Sequence, residues 1–303
     1  MDTQNLFKYR SVTACMKASF DFMYSNYKSL FKSTWWGFLT YSVLMALVIY
    51  LRMPNKFLHD WGVTNPLMSF ILQTVIYTLS MAGTLLATGV IWSWINKKKL
   101  IRNIGYSLIS DILTAIGAII VGLACTLLTF GIGWACKAIM GTESTESGMV
   151  AMAITAVISF ILALIFLLPF TYVNMRLLFL ETKEKIRPWQ AYKMGLRHWG
   201  GLFKMGFISW LVVFVIMLII AIPAMILTGA QALSQLGALD GDSLGTPVYF
   251  VPLFIIVLTL IIFIYSYITS WITLSYAYLY ASYETQEKEK MLLKEKETQG
   301  IIE

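Results

Sequence analysis

Long apolar stretches alternate with short polar segments along the whole chain. Six of them are long enough, or nearly long enough, to cross a bilayer as helices: residues 34–51, 67–95, 106–132, 149–175, 205–229 and 248–280. A bilayer core about 30 Å thick needs roughly 20 apolar residues in a helix, because lipid offers no partners for backbone N–H and C=O groups. The pattern therefore predicts an all-α integral membrane protein with six transmembrane helices.

The composition agrees with this prediction. Hydrophobic residues make up 58% of the 303 residues and charged residues only 13%, about half of what soluble proteins carry. A water-soluble fold, a disordered chain and a disulfide scaffold are therefore poor candidates. We predict a single polytopic membrane domain over residues 1–283. Residues 284–303 change abruptly to Glu, Lys and Gln, which indicates a charged cytoplasmic tail, either a short exposed helix or a disordered segment.

The distribution of basic residues predicts the orientation. Six spans place both termini on one side of the membrane, and that side receives 20 of the 23 Lys and Arg residues. The opposite side receives only Arg52, Lys56 and Lys137. By the positive-inside rule, both termini are cytoplasmic, and the bacterial cytoplasmic (inner) membrane is the expected location. The same basic residues attract anionic lipid, so membrane lipids are the predicted partners and nucleic acid is not.

Two polar segments, directly before spans one and five, are amphipathic. In each, aromatic residues recur at helical spacing and basic residues lie mostly on another face, as an in-plane interfacial helix requires. The alternative is an ordinary cytoplasmic extension of the following span. The predicted interfacial anchors are Phe20, Tyr24, Tyr27, Trp189, Trp199 and Phe203.

The two amphipathic segments also resemble each other. The sequence SLFK at 29–32 matches GLFK at 201–204, which aligns Asn26 with His198 and Tyr27 with Trp199. Each segment precedes a pair of spans, and a shorter basic run at 97–102 precedes the middle pair. The pattern fits three helical hairpins, although chance or shared interfacial chemistry also explains so short a match.

The run from Tyr172 to Val213 resembles the multi-span membrane domain of some bacterial glycerophosphodiester phosphodiesterases and related stand-alone membrane proteins of unassigned function. In the shared pattern, a span ends in Arg, a Glu follows, and an Ala-led amphipathic helix feeds the next span. The residues that fill it are Arg176, Glu181, Ala191, Trp199 and Phe203. The sequence has no segment for the catalytic barrel of that family. The resemblance therefore implies a membrane scaffold without phosphodiesterase activity.

No catalytic constellation is evident in the sequence. The two histidines, His59 and His198, fall on opposite sides of the membrane in the predicted topology, so they cannot share a metal ion. The metalloprotease, hydrolase and phosphate-loop motifs are absent. Asp240 and Asp242 lack the other ligands of a calcium loop and indicate a solvent-facing turn. We expect no enzyme activity, no cofactor and no metal.

Asp111 and Arg176 are the candidate polar pair within the membrane region. An ionisable residue in a span is a functional candidate by default, but Asp111 lies only about 8 Å along the helix from the start of its span, which favours a structural role. We hypothesise a contact between the two side chains.

Small residues predict helix contacts in span three, because they let backbones approach closely. They recur every four residues at Ser110, Thr114, Ala118, Gly122 and Thr126. This stripe and the C-terminal tail are also possible surfaces for a protein partner. Pro169 and Pro223 are expected to bend spans four and five.

The sequence favours a non-catalytic membrane scaffold, accessory or lipid-interacting protein. The alternative is a transporter of a lipid or small molecule, which the six kinked spans would suit. A transporter would be expected to carry polar groups near the midplane of the membrane, and Asp111 and Gln73 are the only candidates.

Overall fold

The computed structural model describes residues 6–52, 66–140, 145–180, 187–239, 247 and 249–298. This part of the chain is all-α, with 93% of residues in helices and no strand. Its helices are α1 (Val12–Ser25), α2 (Tyr27–Arg52), α3 (Pro66–Asn96), α4 (Leu100–Met140), α5 (Thr145–Leu167), α6 (Phe170–Phe179), α7 (Pro188–Arg197), α8 (Trp199–Ile220), α9 (Ile222–Leu239) and α10 (Phe250–Thr298).

Six segments of the described chain are helical, long and apolar enough to cross a membrane. They are Tyr27–Leu51, Phe70–Asn96, Leu100–Ala135, Met152–Phe179, Trp199–Ile220 and Phe250–Glu297. Each overlaps one predicted stretch, so the predicted class and number of spans are confirmed.

The last helix extends well beyond its apolar stretch. Helix α10 has 49 residues, or about 74 Å at roughly 1.5 Å per residue, more than twice the thickness of a bilayer core. It continues through most of the predicted charged tail and ends at Thr298. Of the two expectations for the tail, a helix is therefore correct up to that residue.

Spans four and five are both interrupted beside proline. Leu168 and Pro169 separate α5 from α6, and Ala221 separates α8 from α9, which has Pro223 in its first turn. Proline has no N–H to donate and its ring collides with the preceding helical turn, so helices break or restart there. Both interruptions lie beside the prolines for which the sequence predicts bends.

The chain divides into two compact units. The first contains Met16–Ile104 and Phe207–Ser275; the second contains Asp2–Cys15, Gly105–Gly206 and Tyr276–Glu303. In the first unit, α2 packs closely on α3, because a Cβ at Gly37 would lie only 2.7 Å from Val90 Cγ2. A buried cluster joins α2 to α10 through Ala46, Phe250, Phe254 and Leu258.

Three residues form the turn between α3 and α4 in the first unit. Lys97 adopts the left-handed conformation, with φ of 56°. The amides of Asn96 and Asn103 pair reciprocally: Asn96 Nδ2 donates to Asn103 Oδ1 at 2.9 Å, and Asn103 Nδ2 donates to Asn96 Oδ1 at 3.1 Å. Since Asn103 is fully buried, this amide pair fixes the turn.

We expect Asn103→Leu to lower the free energy of unfolding by about 1–3 kcal/mol, because it keeps the volume but removes both hydrogen bonds between the Asn103 and Asn96 amides. Thermal unfolding of the purified protein in mild detergent measures the effect. Gln190→Leu, at an exposed amide, is the control. Equal unfolding midpoints for wild type and Asn103→Leu would show that the amide pair does not hold the turn.

In the second unit, α4 packs on α6. Ser110 Oγ donates to Asn174 Oδ1 at 2.5 Å, and a Cβ at Gly117 would meet the Phe170 ring at 2.6 Å. Helix α8 lies equally close to α10, since a Cβ at Gly206 would come within 2.8 Å of Tyr276 Oη. Within the two units, successive spans thus contact each other as pairs, as three hairpins require.

The internal match found in the sequence coincides with a structural feature. Asn26 is the single residue between α1 and α2, and His198 is the single residue between α7 and α8. The aligned leucines, Leu30 and Leu202, are both buried. In both places a short helix therefore leads into a span through a one-residue interruption.

Candidate functional site

Helix α6 meets the C-terminal half of α10 in the second unit. Tyr172 and Arg176 lie four residues apart on α6, and Tyr280 and Glu284 lie four residues apart on α10, so each pair occupies one helix face. Tyr172 Oη donates to Glu284 Oε1 at 3.0 Å. Arg176 Nη1 donates to Tyr280 Oη at 3.3 Å and lies 3.4 Å from Glu284 Oε1. Glu284 of α10 therefore contacts both Tyr172 and Arg176 of α6 and joins the two helix faces.

Glu287, one turn further along α10, forms a second charged cluster. The residue is buried, and its Oε2 accepts a hydrogen bond from Arg197 Nη1 at 3.1 Å. Its Oε1 lies 3.5 Å from both Lys290 Nζ and His198 Nε2. Helix α7 and the residue that follows it are therefore held against α10 by one carboxylate.

His198 is enclosed by aromatic and charged groups. Its ring stacks on Tyr283 with centroids 4.0 Å apart, and its Nε2 has no hydrogen-bond partner among the described residues. Burial lowers the pKa of His198 below its ordinary value; the nearby Glu287 carboxylate opposes this shift, and Arg197 adds to it. The neutral imidazole is thus the form that the folded protein favours.

Stability is expected to depend on the charge of His198. A histidine whose pKa is lowered in the folded state contributes stability that is present above its unfolded pKa of 6.5 and is lost as the pH falls through the folded pKa. We therefore expect the unfolding midpoint in detergent to fall between about pH 7.5 and about pH 5. His198→Asn, which copies the aligned Asn26, should reduce this dependence. The assignment is refuted if the pH profile is identical in wild type and variant.

The N-terminal segment also packs on α10 in the second unit. Arg10 N donates to Ser282 Oγ at 2.8 Å, and Ser282 Oγ donates to Arg10 O at 3.0 Å. The Arg10 guanidinium lies 5.2 Å from the centre of the Tyr278 ring. Cys15 is fully buried, which raises the pKa of its thiol to about 11 and keeps it protonated and unreactive.

An open groove of about 850 Å³ lies between α6, α7 and the end of α10. Its charged lining residues are Arg176, Arg187, Lys193, Lys288, Glu284 and Glu287. Both carboxylates are engaged in the ion pairs described above, whereas Arg187, Lys193 and Lys288 are exposed. The groove therefore presents positive charge to whatever enters it.

The structure gives Arg176 a different partner from the one hypothesised. Arg176 is bound to Glu284 and Tyr280, and no ion pair joins it to Asp111 in the described part of the chain. Asp111 is exposed on α4, although its neighbour Ser110 is buried against Asn174. The hypothesis of an Asp111–Arg176 contact is thus wrong in this structure, because Asp111 lies off the face of α4 that packs on α6.

The predicted anchors fall into two groups. Phe20, Tyr24, Tyr27 and Trp189 are exposed. Trp199 and Phe203 are half-buried and stack on each other with centroids 5.1 Å apart, while Trp199 Nε1 donates to Leu164 O at 3.2 Å. The first four are therefore available to lipid, and the last two help to pack α8 on the end of α5.

The small-residue stripe of α4 forms a contact only at its start. Ser110 is buried and Thr114 half-buried, but Ala118, Gly122 and Thr126 are exposed. A step of four residues turns a helix by about 400°, so each step shifts the stripe by about 40° around the axis. The observed contacts with α6 are made by Ser110, to Asn174, and at Gly117, to Phe170.

Several predictions lie outside the described residues, namely those on Glu181, His59, Asp240 and Asp242. Among the residues that the structure describes, no group of three or more His, Cys, Asp or Glu is placed to hold a metal ion.

Sequence reasoning missed Tyr172, Tyr280, Glu284 and Glu287. The signal was present as two motifs with the same spacing, Tyr-x-x-x-Arg on α6 and Tyr-x-x-x-Glu on α10. Glu284 begins the charged segment, however, and there a carboxylate is more often solvated than paired.

The six spans and this charged, aromatic-rich cluster define a multi-pass α-helical membrane protein. Comparison with protein-family models, with curated proteins and with solved structures gave no significant match.

Proposed function

We propose that this chain is a non-catalytic, lipid-interacting scaffold or accessory protein of the bacterial cytoplasmic membrane, with both termini in the cytoplasm. The main support is the set of exposed aromatic rings on the two segments that lead into spans one and five, with a lysine ammonium group beside a ring on α7 and at the start of α2. An apolar ring next to a cationic head suits the boundary between acyl chains and headgroups.

Helix α1 has three distinct faces. At about 100° per residue, the buried Cys15 and Ser19 lie on one face and the exposed Lys17 and Asp21 on another. Phe20 lies between them and stacks on Tyr24 with centroids 6.4 Å apart. A helix with such faces can pack on the protein, insert rings into the interface and keep its charges in water.

The segment before span five repeats this chemistry. Ala191 and Gly195 form the buried face of α7, and Trp189 is exposed on another side. Lys193 Nζ lies 5.5 Å from the centre of the Trp189 ring, as Lys28 Nζ lies 5.9 Å from that of Tyr27. Cation–π pairs of this kind contribute about 0.5–1 kcal/mol each at exposed sites and hold the ammonium group beside the ring.

The charged cluster favours a structural role over catalysis. Glu284 and Glu287 are held in ion pairs with Arg176 and Arg197, so they join helices together. One observation favours the alternative of a transporter: the interruptions next to Pro169 and Pro223, since discontinuous membrane helices form binding sites in transporters.

Mass spectrometry of whatever co-purifies in gentle detergent tests the function. We expect retained lipid that is enriched in anionic species relative to a total extract of the same membranes. Replacing Phe20, Tyr24 and Trp189 together by Ser should reduce the retained lipid, whereas Trp210→Ser, at an exposed aromatic residue within α8, should not. A polar metabolite recovered at one per chain would support the transporter instead.

Labelling of single cysteines tests the orientation. In a background with the three native cysteines replaced by Ala, Ser25→Cys and Lys296→Cys should react with a membrane-impermeant reagent only after the cells are permeabilised. Labelling of either position in intact cells would contradict cytoplasmic termini.

A further inference from the structure

The groove in the second unit separates its charges by depth. Glu284 and Glu287 are largely buried, with 19% and 10% of their side chains exposed, and both are ion-paired. Arg187, Lys193 and Lys288 are exposed along the lining. A ligand therefore meets exposed cations, while the negative charge beneath is already neutralised by Arg176 and Arg197.

Size and chemistry restrict the ligand. A volume of about 850 Å³ falls in the range of small-molecule sites, roughly 300–1,000 Å³. The three exposed cations are the guanidinium of Arg187 and the ammonium groups of Lys193 and Lys288. Both groups bind phosphate oxygens: Arg donates two parallel hydrogen bonds, and Lys acts as a compact positive charge. The groove is thus suited to a phosphate-bearing anion.

The surroundings favour a lipid over a soluble phosphate compound. Lys193 lines the groove and also lies against the exposed Trp189 ring, so the groove and the proposed interfacial face of α7 share a residue. Met194 and Met291 add apolar surface to the same lining. Only His198 separates α7 from a span, α8, which keeps this helix next to the membrane.

We infer that the groove lined by α6, α7 and α10 binds the phosphate headgroup of an anionic membrane lipid. This inference rests on the proposed lipid-interacting function and names the site and the ligand class. Arg187 and Lys193 bind the phosphate, and Met194 contacts the apolar part of the lipid nearest the headgroup.

Native mass spectrometry of the full-length protein, stripped of lipid in detergent, tests the inference. The probes are phosphatidylglycerol, phosphatidylcholine and glycerol 3-phosphate. We expect phosphatidylglycerol to bind at least about ten-fold more tightly than phosphatidylcholine. The double variant Arg187→Gln/Lys193→Gln should lose about ten-fold or more of this affinity, because both phosphate contacts are removed. The control Lys97→Gln/Lys99→Gln removes two exposed charges from the first unit and should change this affinity little. The unfolding midpoint of each variant should equal that of wild type, because the substituted side chains are exposed, and this equality excludes misfolding.

Each contrary outcome overturns a different statement. Equal losses in Arg187→Gln/Lys193→Gln and in Lys97→Gln/Lys99→Gln would indicate diffuse attraction and refute the site. If glycerol 3-phosphate binds as tightly as phosphatidylglycerol, the ligand is a soluble phosphate compound and the assignment of a lipid is refuted. If wild type co-purifies with anionic lipid, and the lipid-stripped double variant binds phosphatidylglycerol as tightly as wild type does, the groove assignment fails but the proposed function stands. If wild type neither co-purifies with lipid nor binds phosphatidylglycerol, the proposed function fails as well.

Discussion

Replacing Glu284 by Ala is expected to lower the free energy of unfolding by roughly 2–3 kcal/mol. The variant removes the acceptor of the buried Tyr172 hydroxyl, which is then left without the partner that it has at 3.0 Å. It also removes the carboxylate beside Arg176, but this side chain is 42% exposed, so water compensates for part of that loss. The desolvated tyrosine hydroxyl therefore accounts for most of the effect, which thermal unfolding in mild detergent measures.

Three variants separate this explanation from its alternatives. Asp111→Asn removes an exposed carboxylate from α4 and should change the unfolding midpoint little. Tyr172→Phe should cost about 1 kcal/mol, because the buried hydroxyl is removed together with its hydrogen bond, while Glu284 keeps Arg176 and the ring packing remains. Exchanging the charges, with Arg176→Glu and Glu284→Arg combined, should be less harmful than the worse single exchange. If Asp111→Asn proved as harmful as Glu284→Ala, the ion pair described here would not be the one that stabilises this region.

The membrane spans could be predicted because lipid imposes a strict rule on the sequence. Every backbone group in the bilayer core must be satisfied within its own helix, so each span appears as a long apolar run. The ends of the helices were less predictable. Helix α10 continues to Thr298 because charged residues with good helix propensity extend a helix as readily as apolar ones, and hydropathy does not register them.

The site was only partly predictable, since its contacts join distant segments. Arg176 was identified as a possible companion of Asp111 at the end of span four, but its partner Glu284 lies 108 residues away. Nothing local distinguishes the paired Glu284 from the exposed carboxylates that follow it on α10. Asp111 was the nearer candidate in the sequence, but the direction in which its side chain points depends on which face of α4 packs on α6.

The internal match was more informative than its length suggested. It aligned Asn26 with His198, and each of these residues interrupts the chain between a short helix and a span. A polar residue at that position can bond within its own helix, as Asn26 Nδ2 does to Phe22 O at 2.9 Å, or contact another helix, as His198 does with Glu287. The second copy thus places the same helix interruption next to the Arg197–Glu287 ion pair, which anchors α7 and positions one wall of the groove.

Gly195→Ala is the second substitution with a large expected effect. Helix α7 passes so close to the break between α5 and α6 that a Cβ at Gly195 would lie 2.7 Å from the Pro169 carbonyl oxygen and 3.1 Å from Pro169 Cα. Backbone atoms cannot move aside as the end of a side chain can, so α7 would have to shift. We expect a net loss of about 1–3 kcal/mol, although Ala normally stabilises a helix interior relative to Gly by up to about 1 kcal/mol.

Gly200→Ala provides a matched control, because a Cβ at this position of α8 meets nothing within 4 Å. It should be neutral or slightly stabilising, so the two substitutions are expected to shift the unfolding midpoint in opposite directions. Displacement of α7 should also move Arg187 and Lys193, and Gly195→Ala should therefore weaken phosphatidylglycerol binding, whereas Gly200→Ala should not. Equal midpoints for both variants would mean that α7 tolerates a shift away from Pro169. The close approach would then be incidental, and the groove would depend mainly on the Glu287 cluster for its shape.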